Sequence, residues 1–535
     1  MRGVRSQSFL HGAAVLAASG IIVKIIGAVF KIPLGAILKP EGMACFSIAY
    51  NIYALLFVLS TAGVPVAVSK MVAEAVALKR FNEVGRIYKV SYAAFALMGI
   101  VLSVSMAYFA DFLARLMGSP ESAHAIRLIA PAVMFVSVVG INRGYYQGFS
   151  NMYPSAASEI IEASGKLFIG LGAAWWLSRA GYGTGLISAG AAAGVTIGAF
   201  LSAAYFMFLP EYEFKHPETK LLKRSKRSVF TALLRLALPI TAGAAAISLT
   251  NVIDSALVMN ILQKSGVPLQ KSMWLYGSYT YAANLFNLPN ALVATIAVSL
   301  IPRVSAAYAK RDIKGLNMTA CSALKIAMLL AMSAAAGLYA LSYPIVYLLY
   351  GKSIDAAAVE ASAGMLRTLA LAVPLLATVT LTSSIHQSVG NVGLPVVSML
   401  AGSIVKIVSN IILIGIPEIN IFGAPASTVL CYAAAAGVNM YFLIVDKNLN
   451  IKLIDIYMKP IIVGILTGYA AERVYSAFSA CSGVGLGVLT AVFFGVISCI
   501  IAIIITKTLT KNDYALFSAD KKSRFFLKFT EKFEL

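Results

Sequence analysis

From Val90 to Ala110, and again from Gly483 to Thr506, the chain carries no charged side chain. Each run is long enough for a helix to cross a bilayer, which takes about 20 apolar residues. Segments of the same character recur along almost all of the 535 residues. A water-soluble globule is excluded, because 59% of the residues are hydrophobic and only 12% are charged, about half the charge of a soluble domain. The chain is read as an all-α polytopic membrane protein.

Apolar windows separated by turn signals predict about fourteen spans. Six fall in residues 1–210, a first lobe, and six in 231–446, a second lobe. A basic linker at 211–230 joins the lobes, two further spans occupy 447–508, and a basic tail runs over 509–535. Arg2 and Arg5 precede an apolar stretch that loosely imitates a cleaved signal, but the apolar character continues to Leu38, which predicts an uncleaved first span. The thirteenth span is the least regular, with Glu472 and Arg473 near its outer end.

The formal charge of +21 would suggest nucleic acid in a soluble protein. Here the basic residues collect in short loops, so no nucleic-acid partner is expected. With the N-terminus inside, the inner segments hold roughly 25 Lys and Arg against about seven outside. This asymmetry orients the chain in the cytoplasmic membrane with both termini in the cytoplasm. The tail, with Phe interleaved among Lys from Lys521 to Phe533, reads either as a disordered basic end or as a segment lying on the anionic leaflet. Cys45, Cys321, Cys431, Cys481 and Cys499 show no paired spacing, and the four histidines are scattered. Neither a disulfide framework nor a metal site is suggested.

The chain repeats itself. Gln147 to Asn151, with Pro154, Ser158 and Lys166 after it, is mirrored by Gln387 to Asn391 with Pro395, Ser398 and Lys406. Ala67-Val68-Ser69 followed by Lys79-Arg80 is mirrored by Ala297-Val298-Ser299 and Lys310-Arg311. Two parallel halves of six spans follow, a plan in which transporters place the substrate between halves near the bilayer midplane.

An ionisable group inside the membrane costs on the order of 3 kcal/mol and is a functional candidate by default. Lys24 and Lys31 lie seven residues apart on one face of the first span, with no acidic partner in it. Lys166 and Lys406 hold matching places in the two halves, and Asp254 is the sole carboxylate of the seventh span, one turn after Asn251. Arg143, Arg235, Arg303, Lys325 and Arg367 lie nearer span ends, and Arg235, Arg303 and Lys325 can simply snorkel to the cytoplasmic surface. The i,i+4 spacing of Glu162 and Lys166 also allows an internal pair. An interior richer in Lys and Arg than in carboxylates suits an anionic ligand, above all a phosphate or pyrophosphate. Small-residue stretches at 189–194 and 241–246 permit close helix contact. Pro33, Pro65, Pro239, Pro289 and Pro374 can break or kink spans. No Walker loop, HExxH or paired-Cys motif is present, so the chain is read as a transporter without a resident cofactor, not an enzyme.

The order of these landmarks resembles the MOP superfamily of multidrug, oligosaccharidyl-lipid and polysaccharide exporters, nearest to its stage V sporulation protein B and MurJ-like branch. Lys24 to Lys31, Gly63 to Ser69, Gly144 to Asn151 with Pro154, and Ile301-Pro302-Arg303 carry the resemblance. It implies two six-helix lobes that rock around a cationic cavity, with a groove for a polyprenyl tail formed by the last two spans. The implied cargo is an undecaprenyl-pyrophosphate-linked peptidoglycan precursor, lipid II, moved from inner to outer leaflet. Lys24, Lys31, Arg143, Lys166, Arg303 and Lys406 are the candidate substrate-binding residues. Lys24 and Lys31 resemble the family's first-helix arginines, while Cys45 and Phe57 depart from its pattern. Asn251, Asp254 and Asn410 are candidates for coupling to a monovalent cation or a proton, with Lys406 a possible substitute for a bound cation. Membrane lipids and cell-wall synthesis enzymes are the expected partners. A flippase for another lipid-linked polysaccharide, a cation-coupled drug exporter and a non-transporting scaffold are the alternatives.

The charge asymmetry predicts that a fluorescent reporter active only in the cytoplasm, fused after Leu535, gives full signal, whereas a periplasmic-type phosphatase fused there is inactive. The reverse pattern would invert the assigned topology.

Overall fold

The computed structural model describes residues 9–209, 225–445, 453–509 and 513. The linker residues 211–224 and the tail, apart from Leu509 and Asp513, fall outside the described residues, as do the two readings of that tail. The chain forms two compact units, Met1–Gly277 and Ser278–Leu535. The first holds α1 (Phe9–Thr61), α2 (Val64–Ala77), α3 (Phe81–Tyr108), α4 (Ala110–Leu116), α5 (Ala123–Gly148), α6 (Tyr153–Gly165), α7 (Leu171–Arg179), α8 (Thr184–Met207) and α9 (Lys226–Lys264). The boundary lies within α10 (Leu269–Ala309). The second unit continues with α11 (Ile313–Ala340), α12 (Ser342–Tyr350), α13 (Ala356–Ala370), α14 (Ala372–Ser388), α15 (Gly393–Ile414), α16 (Gly423–Val445) and α17 (Leu453–Ile505). Among the described residues there is no strand.

Among the described residues, twelve helices are long and apolar enough to cross a membrane, or thirteen with the bent pair α13 and α14 as one span. The first of them covers 60 residues, Ala18–Ala77, about 90 Å at 1.5 Å per residue and far more than one crossing needs. It is broken at Lys39, whose φ is 57° and ψ 177°. A residue before proline is driven out of the helical region, and Pro40 then suits the first turn of the next helix. Taking the parts on either side of Lys39 separately gives fourteen spans, as the sequence implied. Pro33 does not break the chain, since α1 continues through it. Pro65 stands in the first turn of α2, and α17 is broken at Gly483 (φ 77°) between the last two spans.

Glycines set how closely the helices of the first unit approach. A Cβ on Gly144 would sit 2.7 Å from the Pro65 carbonyl oxygen, and one on Gly148 would sit 2.6 Å from Val72 Cβ. Two of the stretches that carry the family resemblance are therefore one contact, α5 against α2. Gly165 on α6 faces Gly198 on α8, and Gly170 faces Gly194 of the small-residue stretch, backbone against backbone. Thr241, in the other stretch, accepts a hydrogen bond from the Gly63 amide at 3.2 Å, so α9 packs on the α1–α2 junction. By packing, α9 joins the first unit, whereas the sequence repeat assigns it to the second half.

In the second unit, α17 lies along α11 through Gly464 and Gly468. Lys325 on α11 does not reach outward to snorkel; its Nζ donates to Asp513 at 2.9 Å.

The repeat is present in local geometry. Ser150 (φ 58°) and Gly390 (φ 94°) are both left-handed, and the next amide, of Asn151 or Asn391, donates back to the carbonyl of Tyr146 or His386. Ser158 and Ser398 then bond the carbonyls of Ser155 and Pro395 in the same pattern. The other turn shifts the sequence register by one residue: Lys79 (φ 56°) corresponds to Arg311 (φ 57°), with Arg80 and Asp312 amides closing the turn.

Gly194→Ala should therefore cost about 1–3 kcal/mol, because a methyl group there must push the Gly170 backbone away. Gly172→Ala, at a helical position with nothing within 4 Å, should be neutral or slightly stabilising. Melting temperatures of the two variants in detergent check the contrast.

Candidate functional site

The first unit contains a cavity of about 300 Å³ whose wall brings Arg143, Glu159, Glu162 and Lys166 together with Phe30, Tyr50 and Tyr53. Tyr53 is buried, and the other polar members are partly exposed to the space between them. The break at Lys39 is what allows one continuous stretch to supply both Phe30 and Tyr50, from its two arms.

Arg143 is anchored twice on α6. Its Nε donates to Ser158 Oγ at 2.8 Å and its Nη2 to Glu162 Oε2 at 3.0 Å. Ser158 in turn donates to the Ser155 carbonyl, and Gln147 Nε2 reaches Ser155 Oγ at 3.1 Å. This side of α5 is thus clamped to α6 by one ion pair and a short polar chain. Glu159, one turn before Glu162, accepts from Ser19 Oγ at 3.1 Å, which ties in the first arm of α1.

Lys166 is held differently. Its Nζ lies 5.0 Å from the Phe30 ring centre and 4.8 Å from that of Tyr50, within the range of cation–π attraction. The expected i,i+4 pairing of Glu162 with Lys166 is not formed; Glu162 is used by Arg143 instead. Lys166 opens a five-residue π-helical turn, Lys166–Gly170. Such a turn inserts a residue into the helix and swings the following side chains, and it recurs at functional sites. Gly165, just before the turn, and Gly170, its last residue, seat it on α8.

Of the sequence-derived substrate candidates, Arg143 and Lys166 meet in this cavity. Lys31 is partly buried on α1, close enough for its charge to interact with that of Lys166. Lys24 is exposed on the same helix. Lys406 is buried on α15 and Arg303 is exposed on α10, both in the second unit. Among the coupling candidates, Asp254 is buried and Asn251 exposed on α9, and Asn410 is buried on α15. Beside Asp254, Ser255 receives Asn51 Nδ2 at 2.6 Å and Tyr276 Oη at 2.9 Å.

The cavity wall is more evenly charged than a count of intramembrane residues implied, with two basic and two acidic side chains. A buried cation needs a counter-charge or a π-face to offset lost hydration. Sequence reasoning passed over Glu159 and the aromatic ladder of α1. Phe46, Tyr50, Tyr53 and Phe57 follow one another in contact, with ring centres 5.7–5.9 Å apart, the first pair stacked and the next two tilted. Their spacing of four, three and four residues puts them on one helix face, and that stripe was the available signal.

Residues 9–308 match the family model described as polysaccharide biosynthesis protein, and residues 275–412 match the MatE model. Three Bacillus subtilis (strain 168) proteins are similar over most of their length. The uncharacterized membrane protein YabM is 28% identical, with 82% of this chain and 80% of that protein aligned. Stage V sporulation protein B is 24% identical (90% and 92%), and the lipid II flippase MurJ 25% identical (80% and 81%). A solved structure of the lipid II flippase MurJ, in an inward closed conformation, superposes with a TM-score of 0.69 at 17% identity, covering 92% of this chain and 98% of that one.

The Arg143–Glu162 pair has a thermodynamic signature. Arg143→Met or Glu162→Leu alone strands a partly buried charge and should each cost about 1–3 kcal/mol, while the double variant loses less than the sum. A double-mutant cycle on detergent melting curves measures the coupling; strict additivity would mean that the two charges do not interact.

Proposed function

Since the chain belongs to the polysaccharide biosynthesis protein family, within the MOP superfamily of flippases and exporters, we propose that it flips an undecaprenyl-pyrophosphate-linked peptidoglycan precursor from the inner to the outer leaflet. The observation that carries this reading is Lys166. It is an ammonium group held over two aromatic rings, beside Arg143, in a cavity inside the membrane-spanning bundle. A pyrophosphate entering that space meets a cation whose hydration has already been replaced by ring faces, so little further desolvation opposes contact. Tyr50 and Tyr53 offer hydroxyl-bearing rings of the kind that pack against sugars. The similarity to lipid II flippase MurJ and to stage V sporulation protein B supports the same cargo class. For coupling we propose Asp254, a carboxylate buried on α9 next to the Asn51–Ser255–Tyr276 network.

A second reading, a different lipid-linked polysaccharide unit, follows from the family description itself, because a pyrophosphate-binding cavity serves either cargo. The two carboxylates of the wall, Glu159 and Glu162, are what a cation-coupled drug exporter would use.

The deciding experiment depletes the protein in its host, with other lipid II flippases removed, and scores lipid II at the outer leaflet with an impermeant probe. The expected result is a fall in exposed lipid II with accumulation inside; unchanged exposure overturns the peptidoglycan cargo. In the same assay Lys166→Ala should lower transport about tenfold or more, given ~1.5–3 kcal/mol for a charged contact. Lys166→Arg should retain part of the activity.

A further inference from the structure

A second, larger cavity of about 960 Å³ lies between α3 and α8, over α5. Its floor is the last two turns of α5, with Asn142, Tyr145 and Tyr146, and its walls are the start of α3 and the end of α8. Arg86 and Lys89 on α3 and Lys226 at the start of α9 stand along it, and no carboxylate lines it. Beneath them the surface is aromatic. Tyr88 Oη donates to Asn142 Oδ1 at 2.9 Å, which fixes a ring that packs on Tyr145 with centres 4.8 Å apart. Tyr146 stacks on Phe206 at 5.8 Å, interplanar angle 23°. Farther along, Tyr92 and Met207 are exposed at the edges, so the space opens sideways toward the region where lipid would lie.

This surface has two chemistries in sequence: three cations at one end, then rings and aliphatic side chains. Inorganic phosphate needs only the first, and an apolar tail only the second. We propose that the groove binds an anionic phospholipid of the inner leaflet, its phosphodiester headgroup at Arg86, Lys89 and Lys226 and an acyl chain along Tyr88, Tyr145 and Phe206. Charge complementarity selects the occupant. The helix ends that form the groove are the ones that carry the Lys/Arg-rich loops of the inward side, where anionic lipid is concentrated. The site is separate from the cavity around Lys166 and independent of the cargo assigned to it.

The test uses the full-length purified protein in detergent. It is titrated with dioleoyl phosphatidylglycerol, with phosphatidylcholine of the same chains, and with inorganic phosphate, and melting temperature is followed. Phosphatidylglycerol alone should raise it by several degrees in a saturable way. Lys89→Glu and Lys226→Glu, at exposed helix-end positions, should each weaken the apparent affinity at least tenfold while leaving the lipid-free melting temperature unchanged. Native mass spectrometry of the wild-type protein should show one phosphatidylglycerol retained in preference to phosphatidylcholine, a readout that does not depend on any variant. Equal stabilisation by phosphatidylcholine would reduce the effect to a general lipid coat and overturn the site. Equal stabilisation by inorganic phosphate would make it an anion site instead, and variants that respond like wild type would remove the three cations from it.

Discussion

A cation inside a membrane must find something to replace its lost water, and the first unit is organised around two different replacements. Arg143 takes a carboxylate and a hydroxyl from α6, while Lys166 takes two aromatic faces from α1. The difference matters chemically. A guanidinium already engaged with Glu162 is largely neutralised and serves as a fixed wall. An ammonium over rings keeps its full charge and its hydrogen-bond donors, so it remains available to an anion. The two cations are thus held in different ways, one in a polar clamp and the other against ring faces.

That division requires α6, α1 and α8 to meet closely, and small residues make it possible. The π-helical turn at Lys166–Gly170 would normally be a defect in a transmembrane helix, because it disturbs the regular hydrogen-bond ladder. It is supported on one side by Gly194 and Gly198, which let two backbones approach without side chains between them. The break at Lys39 supplies the other side by folding α1 back so that Phe30 and Tyr50 face one ammonium. Two local irregularities, the break in α1 and the π-helical turn, therefore meet at a single side chain.

Much of the architecture was legible because membrane helices obey local rules. Span lengths follow from hydropathy, and the pairing of Gln147–Asn151 with Gln387–Asn391 was visible as a repeat, although the break falls before Pro40, a proline the sequence did not single out. The division of Glu162 between two candidate partners was not, since i,i+4 spacing favours Lys166 and only tertiary packing brings Arg143 from another helix. The ladder from Phe46 to Phe57 was hidden for a related reason. In a chain with 25 Tyr and 27 Phe, an aromatic stripe on one helix face reads as ordinary packing until a cation is found above it. Pro33 misleads in the opposite direction, because a proline within a membrane helix is tolerated when neighbours satisfy the freed carbonyl.

The internal repeat gives these features a further meaning. Lys166 and Lys406 lie at the same offset after equivalent turns, and Ser158 and Ser398 make the same backbone contact. Yet the partners that surround Lys166 are not repeated: Arg143 corresponds to Ser383, and Glu162 to Gly402, where the α15–α16 contact leaves no room for a Cβ. One half carries a charged, cavity-lining arrangement, and the other has close packing at the matching position of the helix. The two halves thus share the turns that precede each lysine, while the residues around the two lysines differ.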